Sequence, residues 1–257
     1  MSDWAVILGA SSGFGGATAR ALAAAGLNIC GIHMDRKGTM PLVEAVIADV
    51  KATGQEALFI NMNAADAEKR AAAVAQLQAK GSRVKVLMHS LAFGALKPVL
   101  AEESADALTQ PQVEMTLDVM GSSLIYWSQD LFRAGLLRQG SQIFAMTSSG
   151  GHMQWKSYGA VSAAKAVLES WMRQLAVELA PHKIAANTIQ AGITDTPALR
   201  KIPENAEMIS RALNINPSGR VTIPEDVAKA IAMIGLSEDT WMTGNVIRVD
   251  GGEDITG

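Results

Sequence analysis

Short apolar runs alternate along the chain with longer segments of mixed, alanine-rich composition. Each run has the length and composition of a β-strand buried on both faces, and the segments between are long enough for helices. Strands and helices that alternate at this spacing predict an α/β fold with a doubly wound parallel sheet of about seven strands and helices on both faces. The predicted strands are 4–8, 27–32, 57–62, 84–88, 141–146, 184–189 and 245–249, and the predicted helices are 17–25, 41–53, 65–79, 112–137, 158–180 and 224–236.

One stretch departs from the alternation. Residues 197–219 contain three prolines, mixed charge and no clear strand pattern, which indicates a loop with short helical pieces. Together with the residues just before it, this gives a predicted substrate-side loop at about 194–219. The chain shows no repeat, linker or shift in composition, so residues 1–257 are interpreted as a single domain.

Composition narrows the possible partners and the compartment. The chain has 257 residues, of which 49% are hydrophobic, and a net charge of −3 without basic runs, which argues against nucleic acid or an anionic membrane as the main partner. A single cysteine, Cys30, fits a reducing compartment. No apolar run approaches the ~20 residues that span a bilayer, and no cleavable signal precedes the first predicted strand. A cytoplasmic protein is therefore expected. The four histidines lack metal-ligand spacing, so no metal site is predicted.

A glycine pattern follows the first predicted strand directly. Gly9, Gly13 and Gly15 stand between that strand and an alanine-rich helix, where glycines let the backbone turn sharply and approach a diphosphate at the helix N-terminus. In this position the pattern predicts a Rossmann-type dinucleotide fold. The predicted diphosphate contacts are Gly9, Ser11, Ser12, Gly13, Phe14 and Gly15.

The end of the second strand bears on the choice of cofactor. An acidic residue there would bind both ribose hydroxyls of NADH, but the strand ends in His33 and Met34, before Asp35. Arg36 and Lys37 follow, and two adjacent cations suit a 2′-phosphate. This favours NADPH, while Asp35 leaves NADH possible. Further cofactor contacts are expected where other strands end, at Asn63, Ser90 and Thr194.

Tyr158 and Lys165 are candidates for proton transfer. They are seven residues apart in a predicted helix, and at about 100° per residue this spacing places both on one face. A phenol beside an ammonium is expected to have a lowered pKa, which suits a proton donor near neutral pH. Ser148 lies upstream, at the end of the fifth strand. The second tyrosine, Tyr126, stands among apolar residues and is predicted to be core.

These motifs together resemble the short-chain dehydrogenase/reductase family over essentially the whole chain. The resemblance rests on the glycine loop, Asn63, the Ser148 region, the Tyr/Lys pair, the turn at 187–192 and the terminal VDGG. It implies that Lys165 holds the nicotinamide ribose and acidifies Tyr158, which passes a proton to the substrate oxygen. It also implies a homotetramer.

Several departures from the ordinary family pattern point in one direction. The position four residues before Lys165 is Val161, the fourth strand is followed by His89-Ser90-Leu91-Ala92, and Asp118 replaces the usual active-site asparagine. Ala191-Gly192 also replaces the usual Pro-Gly. These features resemble enoyl-acyl-carrier-protein reductases with Tyr-x6-Lys, and the short glycine loop is similar to their NADPH-using subgroup.

The resemblance implies reduction of the C=C bond of a trans-2-enoyl thioester, on acyl carrier protein or coenzyme A, with Tyr158, Lys165 and Ser148 as catalytic residues. A methionine in the 197–219 stretch could line an acyl channel. Two alternatives stay open: a carbonyl reductase such as a 3-oxoacyl-acyl-carrier-protein reductase of the same family, and a nucleotide-sensing regulator without turnover.

Overall fold

A computed structural model describes residues 2–256. Seven strands form one parallel sheet in the order β3-β2-β1-β4-β5-β6-β7, which confirms the predicted doubly wound fold. The strands are β1 Ser2–Leu8, β2 Asn28–His33, β3 Ala57–Asn61, β4 Ser82–His89, β5 Gln142–Ser148, β6 Ala185–Ala191 and β7 Val246–Val249. The α-helices are α1 Gly13–Ala24, α2 Met40–Ala52, α3 Ala67–Ala79, α4 Gln110–Leu117, α5 Ser123–Arg133, α6 Gly159–Leu179, α7 Asn205–Ile215 and α8 Pro224–Gly235.

Two apolar cores lie on opposite faces of the sheet. Alternate residues of β1 divide between them, since Val6 belongs to one core and Ile7 to the other. The first core contains the side chains of α5 and α6, and the second those of α1 and α8. Burial on both faces explains why the strands are continuous apolar runs without alternation.

Chain order changes direction at the centre of the sheet. The chain first winds from β1 outward to β3, and then returns to β4 on the other side of β1. Ligands of such sheets bind where the order reverses, beyond the carboxyl ends of the strands. Leu8 of β1 pairs with His89 of β4, so the residues after these two strands begin side by side.

The prediction of one continuous helix over 112–137 is wrong. It forms α4 and α5 with a π-helical turn, Asp118–Ser122, between them. Such turns insert a residue into the helical ladder and often lie at functional sites. The turn packs closely against α6, since a Cβ built on Gly121 would lie 2.9 Å from Cγ1 of Val167.

The 194–219 stretch, which we call the substrate-side segment, is more helical than predicted. It contains the eleven-residue helix α7, whose buried residues are Met208 and Ala212. None of the helices within residues 2–256 combines the length and apolar character needed to cross a membrane.

Candidate active site

The glycine loop passes through a space that admits no side chain at two positions. Gly9 has φ +91°, and a Cβ built on it would lie 2.3 Å from the carbonyl oxygen of Ser90. A Cβ on Gly15 would lie 2.1 Å from the carbonyl oxygen of Gly9. Both distances are far inside van der Waals contact, so these positions require glycine.

The loop leads into α1 four residues earlier than predicted, because the helix begins at Gly13 and not at position 17. Ser12 is the N-cap residue, yet its side chain accepts no hydrogen bond from the first turn, which also lacks an acidic residue. The first-turn N–H groups of Gly13, Phe14 and Gly15, at the positive end of the helix dipole, are therefore not capped by a side chain from that turn. This arrangement fits the diphosphate of a dinucleotide, and the half-buried Ser11 and Ser12 adjoin it.

Two kinds of side chain after β2 could bind the adenosine ribose of the cofactor, an acidic one and a basic pair, and they differ in whether they already have a partner. The carboxylate of Asp35 lies 3.1 Å from Nδ1 of the buried His33, and the Asp35 backbone is hydrogen-bonded to the Asn61 side chain. Arg36 and Lys37 are exposed, and their side chains form no ion pair or hydrogen bond with the described residues. The cations are therefore available to an anionic ligand, whereas the Asp35 carboxylate already has a partner.

The remaining predicted cofactor contacts lie just beyond strand ends. The Asn63 side chain is exposed and accepts the Ala65 N–H, and the Ser90 N–H donates to the Leu8 carbonyl at 2.8 Å. Thr194 is buried and its hydroxyl donates to the Gly192 carbonyl at 3.0 Å. Thr196, which the sequence did not single out, lies against the glycine loop, since its Cγ2 would be 3.6 Å from a Cβ on Gly13.

Tyr158 lies outside the helix that was predicted to contain it. It is the N-cap residue of α6, which begins at Gly159. Its ring packs on Gly150, where a Cβ would lie 2.5 Å from the ring and 3.0 Å from Oγ of Ser148. Burial raises the pKa of Tyr158, and a hydrogen bond with Ser148 opposes this increase. The structure thus brings Ser148 and Tyr158 together.

Lys165 is a buried residue of α6. Its Nζ donates to the backbone carbonyl of Met146 at 2.8 Å. Burial lowers the pKa of Lys165 to about 8, and the negative charge of Glu169 opposes this shift. The prediction that the ammonium lowers the pKa of Tyr158 is wrong in this structure, because burial dominates the phenol and Lys165 does not contribute to its shift.

His89 adjoins Lys165 and stays neutral. It is fully buried, and its Nε2 lies 2.9 Å from the hydroxyl oxygen of Ser123. That hydroxyl donates to the Val119 carbonyl, so His89 Nε2 is the donor in the pair. Burial first, and then the charge of Lys165, lower the pKa of His89 to about 3. The side chain therefore links β4 to the start of α5 and carries no charge near neutral pH.

Tyr126 is not a core residue, contrary to the sequence-based prediction. It is partly exposed, and its hydroxyl donates to the Asp118 carboxylate at 2.9 Å. The guanidinium of Arg70 lies 5.1 Å from the centre of its ring. The second phenol therefore already has partners in the π-helical turn and in α3.

Two small apolar clusters meet at Tyr158. One contains Met120, Val161 and Ala164, and the other, from the substrate-side segment, contains Leu199, Ile202 and Met208. The Tyr158 ring packs against both. Beside the second cluster lies a small open-mouthed cavity, lined by Ser149, Met153, Trp155, Ile193, Met208, Arg211, Ala212, Ile215, Glu253 and Asp254.

With this geometry established, comparison with known proteins decides the family. A family model described as enoyl-(acyl carrier protein) reductase matches residues 9–253, which is nearly the whole chain. The chain belongs to the short-chain dehydrogenase/reductase family. It is an oxidoreductase of that family.

Individual relatives of this short-chain dehydrogenase/reductase have varied activities. The chain is 29% identical over 254 residues to the 3-oxoacyl-[acyl-carrier-protein] reductase FabG of Aggregatibacter actinomycetemcomitans, covering 98% of this chain and 99% of that protein. It is 27% identical over 256 residues to the short-chain reductase protein NovJ of Streptomyces niveus, covering 96% and 92%.

Solved structures agree with the fold. The NADH-dependent enoyl-[acyl-carrier-protein] reductase of Aquifex aeolicus superimposes with a TM-score of 0.86 at 22% identity, covering 99% of this chain and 97% of that one. A short-chain dehydrogenase from Burkholderia cenocepacia in complex with NADP gives 0.81 at 26% identity, covering 97% of each.

Several residues of the candidate active site were not predicted from the sequence. Thr147 donates to Glu169 at 2.6 Å, next to the Lys165 side chain, and Trp155 and Glu253 line the cavity. None belongs to a motif, because their roles depend on which distant segments pack against them. Position 253 directly follows the terminal VDGG, and a charged residue near the end of a chain looks like ordinary surface in a sequence.

Proposed function

We propose that this protein reduces the C=C bond of a trans-2-enoyl thioester with hydride from NAD(P)H. The observation that carries the proposal is the place of Tyr158 at the N-cap of α6, seven residues before Lys165. Val161, four residues before Lys165, is buried in an apolar cluster, and Tyr158 lies before the first turn of α6. Reduction of a ketone places charge on the oxygen of the carbon that accepts hydride. Reduction of an enoyl thioester places it on an oxygen farther along the conjugated chain, which a displaced donor suits better.

The chain's own residues supply proton transfer and position. Tyr158 donates its hydroxyl proton to the thioester oxygen, and Ser148 hydrogen-bonds and orients the phenol. Lys165, as an ammonium, supports the negative charge that develops and is available to the nicotinamide ribose. The glycine loop and the α1 N-terminus would hold the diphosphate. When bound, NAD(P)H supplies the hydride.

The apolar surroundings of Tyr158 support an acyl substrate. Leu199, Ile202 and Met208 shield the ring from water, and Met208 also lines the adjoining cavity. A methionine of this segment was expected to line an acyl channel, and the location of Met208 supports that role. We propose that the acyl chain packs here while the thioester carbonyl faces Tyr158, with acyl carrier protein or coenzyme A as the carrier.

A 3-oxoacyl thioester reductase is the second candidate. Curated relatives at 28–29% identity have that activity in their names. The contact between Ser148 and Tyr158 also provides two hydroxyl groups that could bind a ketone oxygen together. Both reactions consume a reduced nicotinamide, so the substrate alone distinguishes them.

One assay separates the candidates. Purified protein receives NADPH or NADH with crotonyl or acetoacetyl thioester, and oxidation is followed by the absorbance of the reduced nicotinamide. We expect turnover with the crotonyl thioester. Turnover with the acetoacetyl thioester alone would show that the protein is a 3-oxoacyl thioester reductase. Cofactor binding without turnover of either thioester would indicate a nucleotide-binding regulator.

NADPH is the proposed cofactor, with NADH as the alternative, because Arg36 and Lys37 are unpaired within residues 2–256 while Asp35 contacts His33. Replacing both cations by alanine should raise the KM for NADPH about tenfold to a hundredfold and change the KM for NADH little, since only NADPH carries the 2′-phosphate. Steady-state kinetics with each cofactor measure this. Lys51→Ala, an exposed cation at the end of α2, is the control. Equal loss with both cofactors would contradict the assignment.

The pH profile should depend on Glu169. Its charge raises the pKa of Lys165, which burial lowers to about 8, so Glu169→Gln should lower that pKa further. If catalysis uses the ammonium form, the alkaline limb of the kcat/KM profile moves to lower pH. Glutamine can still accept the Thr147 hydroxyl, so the geometry is kept. Glu178→Gln, an exposed change on the same helix, should leave the limb in place, and a limb that is equally unmoved in Glu169→Gln would refute the role.

Assembly and location are proposed on the family resemblance. A homotetramer is supported by exposed apolar side chains on and near α8 and β7, where Met233 is 75% and Trp241 93% exposed in the single chain. A cytoplasmic location fits the single cysteine, which is buried.

A further inference from the structure

The substrate-side segment forms an apolar wall beside Tyr158. Its apolar residues Leu199, Ile202 and Met208 pack against one another and against the phenol ring. One polar contact near its middle joins it to the Tyr158 loop, where the Ser157 hydroxyl donates to the Glu204 carboxylate at 3.0 Å. Contacts at the two ends of the segment also fix the position of the wall.

Both ends meet the same carboxyl group. Glu253, which is 7% exposed, lies in a short 3₁₀ turn after the last strand. Its Oε1 accepts the backbone N–H of Ile193 at 2.9 Å, directly before the segment. Its Oε2 lies 3.5 Å from Nδ2 of Asn216, which follows the last residue of α7. A single side chain thus contacts the chain on either side of the apolar wall.

The partners of Glu253 are themselves held in place. Nδ2 of Asn216 also donates to the Asp250 carbonyl at 2.9 Å, and its Oδ1 accepts the Ser218 N–H at 2.9 Å, which together orient the amide. A Cβ built on Gly192 would lie 2.9 Å from Oε2 of Glu253. The carboxyl group is therefore packed tightly against the backbone that begins the segment.

Burial of this group has an energetic cost. Burial raises the pKa of Glu253, and the donors from Ile193 and Asn216 oppose that increase. A buried carboxylate is tolerated only when hydrogen bonds replace its lost hydration, so these contacts are coupled to the position of the segment.

We propose that Glu253 is a positioning residue that holds both ends of the substrate-side segment and so fixes the apolar wall against which the acyl chain binds. This inference rests on the proposed function, since it assigns the wall to the acyl group. Glu253 also lines the cavity beside that wall, together with Met208 and Ala212 of α7. Its removal should loosen the contact with substrate while leaving Tyr158, Lys165 and the glycine loop in place.

The test compares Glu253→Met with Glu253→Gln. Methionine matches the length of the side chain but accepts neither hydrogen bond. Glutamine keeps an oxygen that accepts the Ile193 N–H. Its amide NH₂ group would face the NH₂ group of Asn216, so the second hydrogen bond is lost. For Glu253→Met we expect the KM for crotonyl thioester to rise about tenfold, with kcat within about threefold of wild type. Glu253→Gln should have a KM between those of the wild type and Glu253→Met.

Glu207→Gln is the matched control, because Glu207 is an exposed carboxylate on the same helix as Met208 and should leave KM unchanged. An unchanged KM in folded Glu253→Met would overturn the proposal. So would a lower kcat at constant KM, because that is the signature of a smaller active fraction and not of a displaced wall. Should the methionine variant fail to fold, Glu253→Gln decides, and its KM must then rise at least about threefold.

The two proposals fail separately. If the wild-type protein reduces only the acetoacetyl thioester, the enoyl function is wrong, and the same KM comparison made with that substrate still tests Glu253. If it reduces neither thioester, calorimetric binding of butyryl thioester in the presence of NADP⁺ replaces KM. Equal affinity in wild type and Glu253→Met would then overturn the inference.

Discussion

Tyr158→Phe is expected to lower kcat by about three orders of magnitude, because a positioned proton donor contributes roughly 10²- to 10⁴-fold. Phenylalanine keeps the ring contacts with Gly150 and with both apolar clusters and loses the hydroxyl that we propose as the proton donor. The fold and the Kd for NADPH should therefore change little. Stopped-flow turnover with crotonyl thioester and a separate cofactor titration measure the two quantities.

Tyr126→Phe provides the matched control, since the chain has two tyrosines. It removes the hydrogen bond to Asp118 of the π-helical turn, and we expect kcat within about twofold of wild type. A fully active Tyr158→Phe variant would show that another group donates the proton. A large loss in Tyr126→Phe would assign a role in turnover to the Asp118 contact.

Gly9→Ala is the second change with a large expected effect. The new methyl group would lie 2.3 Å from the backbone oxygen of Ser90, which cannot move away as a flexible side chain could. The residue would also keep a φ of +91°, which L-residues rarely adopt. We expect cofactor affinity to fall by at least about a hundredfold, together with a clear loss in Tm, because the loop must separate from β4. Calorimetric titration with NADPH and thermal unfolding measure both.

Gly26→Ala isolates the effect of the backbone angle. Gly26 has φ +98°, but a Cβ there would meet no atom within 4 Å. This variant should lose about 1 kcal/mol of stability and keep its cofactor affinity. If Gly9→Ala behaves like Gly26→Ala, the close approach of the loop to Ser90 is not essential for cofactor binding.

Much of the architecture follows from patterns that are local in the sequence. Each of the seven strands was recognisable as a short run rich in apolar residues, although β7 at the edge of the sheet is partly exposed, and the chain order of strands and helices then restricts the topology. Gly9 and Gly15 were recognisable because tight turns admit few residue types. Tyr158 and Lys165 were recognisable as a pair by their spacing, although the helix that was to hold them both begins one residue after Tyr158.

The electrostatics of the site depended on packing that no local pattern contains. A lowered pKa for Tyr158 was the natural expectation for a phenol near an ammonium. The structure instead buries the phenol between two apolar clusters and directs Lys165 to the Met146 carbonyl, so the pKa of Tyr158 rises. Desolvation depends on every neighbouring segment, whereas residue spacing describes only one helix.

The sequence by itself therefore determined the fold class, the glycine loop, the cations after β2 and the tyrosine and lysine that stand in the site. Tertiary structure alone decided that Tyr126 bonds Asp118 on the surface, that His89 stays neutral beside Lys165, and that Glu253 reaches both ends of the substrate-side segment. Apolar periodicity and turn chemistry act over a few residues and can be recognised in the chain. The hydrogen bonds of Glu253 join residues that are 60 and 37 positions apart in the chain. They form only once the fold has brought the segments that carry these residues together.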